Sequence, residues 1–527
     1  MIGEASAGTM PHVERSAARR SLPAPLEVFA FVSAVVCVYS MRRADPDLWG
    51  YLSSGRLFVE QGGLTSHDPF AYTSAGLPWV TFEYGAHIAL WLAYRFAGPL
   101  GLIALKCLVG AVALYFLAVS VRLATRDPRV WVPVFMLCAS SLSRFFLFRP
   151  QLFTFAFFAI FVAVLFRYLI TGRAQLAVLP VVMLAWANVH GGFVAGLGAV
   201  GLAIAARASR NRPARRGLRG LMEGTKALWA VLGACAAVTF VNPMGARLWD
   251  YVIVELTHGT NRRYTVEWGP ASLGTDAWSA VALTLIAVVF VTVTWFACTT
   301  ANKTERPETL CLALTCVPLI VMAYVSVRHL PIAAIWTAPA IARLASRAEW
   351  STAFRRAWFV LSGPAVLPAC LTLLLVAVQP QPVISAGDGV LGRRNPCRAV
   401  AFMKANGVTG NVFSPLWWGS YVSWELYPAV RVSMDGRNIS LFPDRMVIEN
   451  FDFYLEPANA ADLDAPLRYP TDYLLVPTDS PVLSRIEADG RWRPAFRDGD
   501  AALFVRTDFT GVFASAHPPL PCSAVFQ

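Results

Sequence analysis

The chain has 527 residues, of which 56% are hydrophobic and only 15% charged, with a mean hydropathy of +0.50. That balance excludes an ordinary water-soluble enzyme and describes a polytopic membrane protein. The formal charge of +12, from 45 Lys and Arg against 33 Asp and Glu, does not point to nucleic acid, because the basic residues lie between apolar runs, where they set membrane topology. The ten cysteines form no CxxC pair, which argues against a zinc site or a redox pair.

A bilayer core of roughly 30 Å takes about 20 helical residues. Apolar runs near that length predict about eleven spans, at 26–41, 99–121, 130–146, 151–170, 175–190, 191–206, 227–241, 278–298, 309–325, 330–345 and 357–378. With residues 1–25 cytoplasmic, basic residues are about twice as dense in the inside loops as outside, and 207–226, with seven of them, is the strongest anchor. Odd parity then puts the C-terminal tail outside. The first span reads as a retained signal anchor, since no small-residue cleavage site follows it before Met41-Arg42-Arg43. Runs 175–190 and 191–206 read as a tight hairpin around His190-Gly191-Gly192, because merging them would export the basic 207–226 loop. Gly196, Gly198 and Gly201 imitate a nucleotide fingerprint, but in an apolar run they fit close helix packing better. Lys106, inside a span, either faces a cavity or snorkels.

The first outer loop, 42–98, is long, aromatic and acidic. Asp45 and Asp47, two carboxylates at the outer end of a span, are costly there without a role. They could ligate a divalent cation such as Mg or Mn, or one could deprotonate an acceptor while the other tunes it. Alternatively, one of them simply caps a helix running through Arg56. The loop also supplies Arg56, His67, Asp68 and Glu83 as candidate substrate-binding groups. Tyr84–Phe96, with Ile88, Trp91, Leu92 and Phe96 at helical spacing, reads as an interfacial amphipathic helix or a partly buried connector.

From about residue 379 the composition becomes polar and mixed in charge, which predicts a soluble domain over 379–527 beyond the membrane region 26–378. Strand-like runs at Gly410–Phe413, Ala429–Met434, Tyr473–Val476 and Ala501–Val505 alternate with helical ones such as Cys397–Asn406, an α/β or α+β pattern. Cys397 and Cys522 bracket this domain and could pair in an oxidising compartment. Trp417, Trp418, Tyr421 and Trp424 suit either stacking on sugar rings or a core and membrane contact.

This pattern resembles the GT-C superfamily of integral membrane glycosyltransferases, in particular the bacterial members related to protein mannosyltransferases and aminoarabinose transferases. Asp47, nine residues before Arg56 in a helix-like stretch ending Glu60-Gln61-Gly62, stands where those families carry an essential aspartate, although an Asp-Pro-Asp sequence replaces their usual Asp-Glu pair. Phe148-Arg149-Pro150-Gln151, Asn188-Val189-His190-Gly191-Gly192, Asn242-Pro243, Arg328-His329-Leu330-Pro331, Trp417-Trp418-Gly419-Ser420-Tyr421 and Asp435-Gly436-Arg437 are similar to stretches of bacterial relatives. The resemblance implies a polytopic α-helical GT-C-like fold and a polyprenyl-phosphate sugar donor.

Arg149, His190, Glu267, Arg328 and His329 all fall at outer span ends or in outer loops, so they join the candidate substrate-binding set. Arginine suits the oxygens of a polyprenyl phosphate; taken singly, each Arg also reads as a snorkelling residue and His190 as a packed core histidine. The expected activity is inverting sugar transfer to an envelope glycan, lipid or protein acceptor at the outer face of a bacterial inner membrane, with Asp47 as the general base and Asp45 as the second catalytic carboxylate. An envelope polysaccharide ligase or polymerase is the alternative enzyme, and a transporter or assembly scaffold the alternative without chemistry. The expected partners are the lipid-linked donor, the acceptor and membrane lipid, with no nucleic acid.

Overall fold

The computed structural model describes residues 32, 47–210, 224–257, 266–302, 305–348, 350, 395–437, 441–457, 462–509 and 513. Apart from residue 32, the predicted spans 26–41 and 357–378 lie outside the described residues, as do Asp45 and Cys522.

Twelve described helices precede the tail. They are α1 (Leu48–Gln61), α2 (Tyr84–Ala124), α3 (Pro128–Leu142), α4 (Gln151–Thr171), α5 (Val178–Ala187), α6 (Val194–Arg210), α7 (Lys226–Val238), α8 (Arg247–Thr257), α9 (Leu273–Thr300), α10 (Arg306–Leu314), α11 (Val317–Val325) and α12 (Leu330–Arg347). Five stretches are long and apolar enough to cross a membrane: Tyr84–Ala124, Gln151–Thr171, Gly191–Ala208, Asp276–Thr300 and Arg306–Val325. The described residues therefore do not reach the expected count of about eleven. Val178–Ala187 and Lys226–Val238 are shorter apolar helices, and α12 is buried on every side, with Trp336 fully enclosed in the membrane-region core.

α2 joins the predicted amphipathic segment to the span that follows it. The backbone breaks between them, at Ala97 and Gly98, just before Pro99. Gly98 takes φ of 56°, a left-handed conformation that costs glycine little. The hairpin at 188–193 is present, since α6 folds back over α5 closely enough that a Cβ on Gly196 would lie 2.7 Å from Trp186 and 3.0 Å from Met183. Close packing accounts for that glycine alone, because Gly198 and Gly201 have nothing within 4 Å of the same position. Lys106 does not snorkel: it is 3% exposed, its ammonium 5.1 Å from the centre of the Phe148 ring.

The tail forms a five-stranded sheet of β1 (Gly410–Phe413), β2 (Val430–Val432), β3 (Tyr473–Pro477), β4 (Trp492–Arg497) and β5 (Ala501–Arg506), in the order β2-β1-β3-β5-β4. β1 runs parallel to β2 and β3, while β5 runs antiparallel to β3 and β4. Helices α13 (Cys397–Ala405), α14 (Leu416–Leu426), α15 (Asp444–Leu455) and α16 (Leu483–Ala488) complete it. Cys397 is disulfide-bonded, to a partner outside the described residues.

The tail and the first loop share one hydrophobic core, in which Leu48, Leu52, Phe58, Phe70 and Trp79 join Trp418, Val432, Leu474 and Phe504. The loop also extends the sheet. Ala71 bridges Val432 in parallel, through Tyr72 N–H to the Val432 carbonyl at 3.0 Å and Val432 N–H to the Phe70 carbonyl at 3.1 Å. This packing puts loop and tail on the same face of the membrane region. The aromatic group divides accordingly: Trp417, Trp418 and Tyr421 are buried in the core, and Trp424 sits at the seam, 5.8 Å from Trp49 and 5.9 Å from Trp91.

Candidate active site

The connections leading into α1, α2, α4, α6, α9 and α12 meet on the face that carries the tail, because hydrogen bonds and ion pairs join them. Asp47 occupies the N-cap position of α1, yet its carboxylate makes no capping hydrogen bond. Its Oδ2 instead lies 3.4 Å from Nη2 of Arg149, in the turn before α4, and Nη1 of the same guanidinium pairs with Glu267. Glu267 belongs to the 3-10 turn Val266–Trp268 ahead of α9. That turn is tied to the one before α12 by Ser326 Oγ, donating to the Glu267 carbonyl at 3.2 Å, and by Val327 N–H, donating to the Gly269 carbonyl at 3.0 Å. Arg328 stacks over Trp268 at 4.4 Å, and the His329 ring meets it edge-on at 6.1 Å. Side chains of Asp47 and Arg149 are 18% exposed and that of Glu267 30%, sheltered but reachable from outside.

A second cluster surrounds Glu83, at the N-cap position of α2. Gly192 N–H donates to Nδ1 of His190 at 2.8 Å, so the imidazole proton sits on Nε2, which faces Glu83 Oε1 at 3.1 Å. Thr154 of α4 contacts the same Nδ1 at 2.8 Å and accepts from Trp186 at 2.9 Å. His87 lies 3.7 Å from the other Glu83 oxygen and stacks on Tyr51 of α1 at 5.0 Å. Burial alone would raise the Glu83 carboxyl, but its contacts with His190 and His87 outweigh that and bring it down to about 2.

The third cluster joins loop to tail. Arg437 donates from Nη2 to Asp68 Oδ1 at 2.7 Å and from Nε to both Asp435 oxygens, at 2.8 and 2.9 Å. Its guanidinium lies 4.6 Å from the centres of both the Phe70 and Trp79 rings. Asp68 is further held by Phe70 N–H at 3.0 Å and Ser74 Oγ at 2.6 Å. Burial pushes the Asp435 carboxyl above its usual range, against the pull of Arg437 and with help from Asp68. Burial works against the Arg437 charge as well, but the two carboxylates overcome it and hold the guanidinium protonated.

Of the residues singled out in the sequence, the structure thus gathers Asp47, Arg149 and Glu267, with Arg328 and His329 beside them, and pairs Glu83 with His190. Asp68 goes to the clasp with the tail. Two others are not brought to these clusters: Arg56 stacks over Trp424 at 4.7 Å, and His67 is exposed, bonded to Ser66 at 2.8 Å. Sequence reading missed Asp435 and Arg437 as site residues, although the Asp-Gly-Arg tripeptide was the signal. No group of three or more His, Cys, Asp or Glu side chains able to hold a metal occurs among the described residues. Asp47 and Glu267 share one guanidinium, and Asp45, the other carboxylate expected to serve a divalent cation, lies outside the described residues.

No family model matches the chain, and no curated protein matches it. Solved structures do. The oligosaccharyltransferase of Archaeoglobus fulgidus in its apo form aligns at TM-score 0.55 and 12% identity, over 85% of this chain and 69% of that one. The oligosaccharyltransferase AglB of the same organism, in complex with an inhibitory peptide and a dolichol-phosphate, aligns at TM-score 0.54 and 11% identity with the same coverage. The mycobacterial arabinofuranosyltransferase AftD aligns at TM-score 0.49 and 12% identity, over 93% of this chain and 40% of that one. The chain shares its fold with the oligosaccharyltransferase of Archaeoglobus fulgidus.

Proposed function

We propose that the protein is a membrane glycosyltransferase that moves a sugar from a polyprenyl-phosphate donor to a hydroxyl or amine of an envelope glycan, lipid or protein at the outer face of a bacterial inner membrane. The observation that carries the reading is the state of Asp47: a carboxylate at a helix start that does not cap the helix, partly exposed and held by Arg149 beside Glu267. Such a group is placed to accept a proton. The acceptor's lone pair attacks the anomeric carbon as its proton passes to Asp47, and the bond from that carbon to the donor phosphate breaks on the opposite side, inverting the centre.

The leaving phosphate needs positive charge as it departs. Arg149 and Arg328 supply it, the first by exchanging a carboxylate for phosphate oxygens. Helices α2, α4 and α12 also begin on this face, so the positive ends of their dipoles add to that charge. The dolichol-phosphate bound by a protein of the same fold belongs to the chemical class proposed here. Asp45 is proposed as the second acid at this site.

The test is mass spectrometry of the lipid that co-purifies with the Asp47→Asn protein. One sugar on a polyprenyl phosphate, the untransferred donor, is the expected lipid. A long glycan on the lipid points to a ligase or polymerase, and transport of a solute by proteoliposomes lacking any lipid-linked sugar overturns the enzyme reading.

A further inference from the structure

Gly436 lies between Asp435 and Arg437, the two tail residues of the buried ionic clasp, and it has no room for a side chain. A Cβ built there would fall 2.6 Å from Asp47 Cγ and closer still to Oδ1, and its three nearest neighbours are all atoms of Asp47. The backbone conformation of Gly436 is not a left-handed one, so the need for glycine comes from that carboxylate and not from the chain's own path. Gly436 is itself fixed, because its N–H donates to Ser420 Oγ of α14 at 3.1 Å. On the other side of the same turn, Arg437 lies flat against α1: a Cβ on Gly50, three residues beyond Asp47, would sit 2.8 Å from Arg437 Cγ.

We infer that the Asp435-Gly436-Arg437 turn is a positioning element of the active site, with Gly436 as the wall that holds the Asp47 carboxylate against Arg149. The site is then complete only when the tail is docked, since one side of Asp47 is set by Arg149 before α4 and the other by a turn of the tail. Docking is secured by Arg437, with Asp68 of the loop and Asp435 of the tail on either side of its guanidinium. A shift of about 1 Å in a reacting group costs on the order of 100-fold in rate, so the turn controls turnover without touching substrate. The inference rests on Asp47 being the base, but the contact itself is tested apart from the chemistry.

The experiment is a double-mutant cycle on the full-length protein in detergent, with Gly436→Ala made in wild type and in Asp47→Ala. Gly436→Ala alone should lower the melting temperature by roughly 5 °C and kcat by about 10- to 100-fold with KM for donor unchanged. In the Asp47→Ala background the methyl group has room, and Gly436→Ala should leave the melting temperature within about 1 °C. An equal loss of stability in both backgrounds, or failure of both proteins to fold, overturns the inference, because the glycine would then serve something other than Asp47. If the cycle shows relief by Asp47→Ala but Asp47→Asn transfers sugar at the wild-type rate, the contact stands and the assignment of Asp47 as base falls.

Discussion

Arg437 of the tail and Asp68 of the first loop, 369 residues apart in sequence, share a hydrogen bond of 2.7 Å in which neither side chain is more than 1% exposed. Removing one partner of such a buried set strands the others without compensation, which costs about 3–5 kcal/mol. Arg437→Ala should therefore cost more stability than removal of any exposed ion pair of the tail, such as Arg497 with Glu487, where about 0–1 kcal/mol is expected. Thermal unfolding of Arg437→Ala and Arg497→Ala in the same detergent checks this, and equal melting temperatures for the two variants would refute the clasp.

Glu83 gives a pH prediction with a definite sign. A carboxyl whose pKa is depressed by folding stabilises the protein above its unfolded value, and that contribution disappears as pH falls through the folded value. Glu83 moves from 4.5 to about 2, so its contribution is full above about pH 4.5 and lost on the way down to about pH 2. Glu83→Gln should thus melt well below wild type at pH 6, and the gap should close as the pH approaches 2. A gap of the same size at pH 6 and pH 3 would show that His190 and His87 do not hold the carboxyl down.

Arg149 bridges Asp47 and Glu267 with separate nitrogens of one guanidinium, a geometry that lysine cannot reproduce. Arg149→Ala should reduce transfer by on the order of 100-fold, and Arg149→Lys should recover little of it. Steady-state rates with a synthetic polyprenyl-phosphate sugar measure both. Full activity in Arg149→Lys would reduce the role of Arg149 to a point charge.

Hydropathy exposed much of this site because it marks where spans end, and span ends of one parity share a face. Asp47, Arg149, Glu267 and Arg328 were legible for that reason, and so were Glu83 and His190. The clasp was not, since no local pattern links Asp68 to Arg437. Arg56 and His67 carried the right chemistry on the right loop, but a neighbouring aromatic ring took the first and solvent the second. In the tail, four strands followed from runs of apolar residues. The fifth, β4, contains Arg493, Pro494 and Arg497, and it tolerates them because it is an edge strand with a register shift at Pro494.

The shared core of loop and tail makes a topological prediction. Cysteines replacing Ser66 in the loop and Ser484 in the tail, both exposed, should react together with a membrane-impermeant thiol reagent in bacterial spheroplasts whose native thiols have been masked. A cysteine at Thr171, exposed at the opposite end of α4, should not. Labelling of Thr171 with protection of the other two would place the site on the cytoplasmic face, away from an externally presented donor.

The central claim is that Asp47 takes the acceptor's proton, and the most direct measurement is the transfer rate of purified Asp47→Asn with a polyprenyl-phosphate sugar and the acceptor. The asparagine keeps the size of the side chain and its place beside Gly436 but cannot serve as a base. The account predicts a loss of about 1000-fold or more in kcat, with donor binding and melting temperature close to wild type. Transfer at the wild-type rate by Asp47→Asn would contradict it.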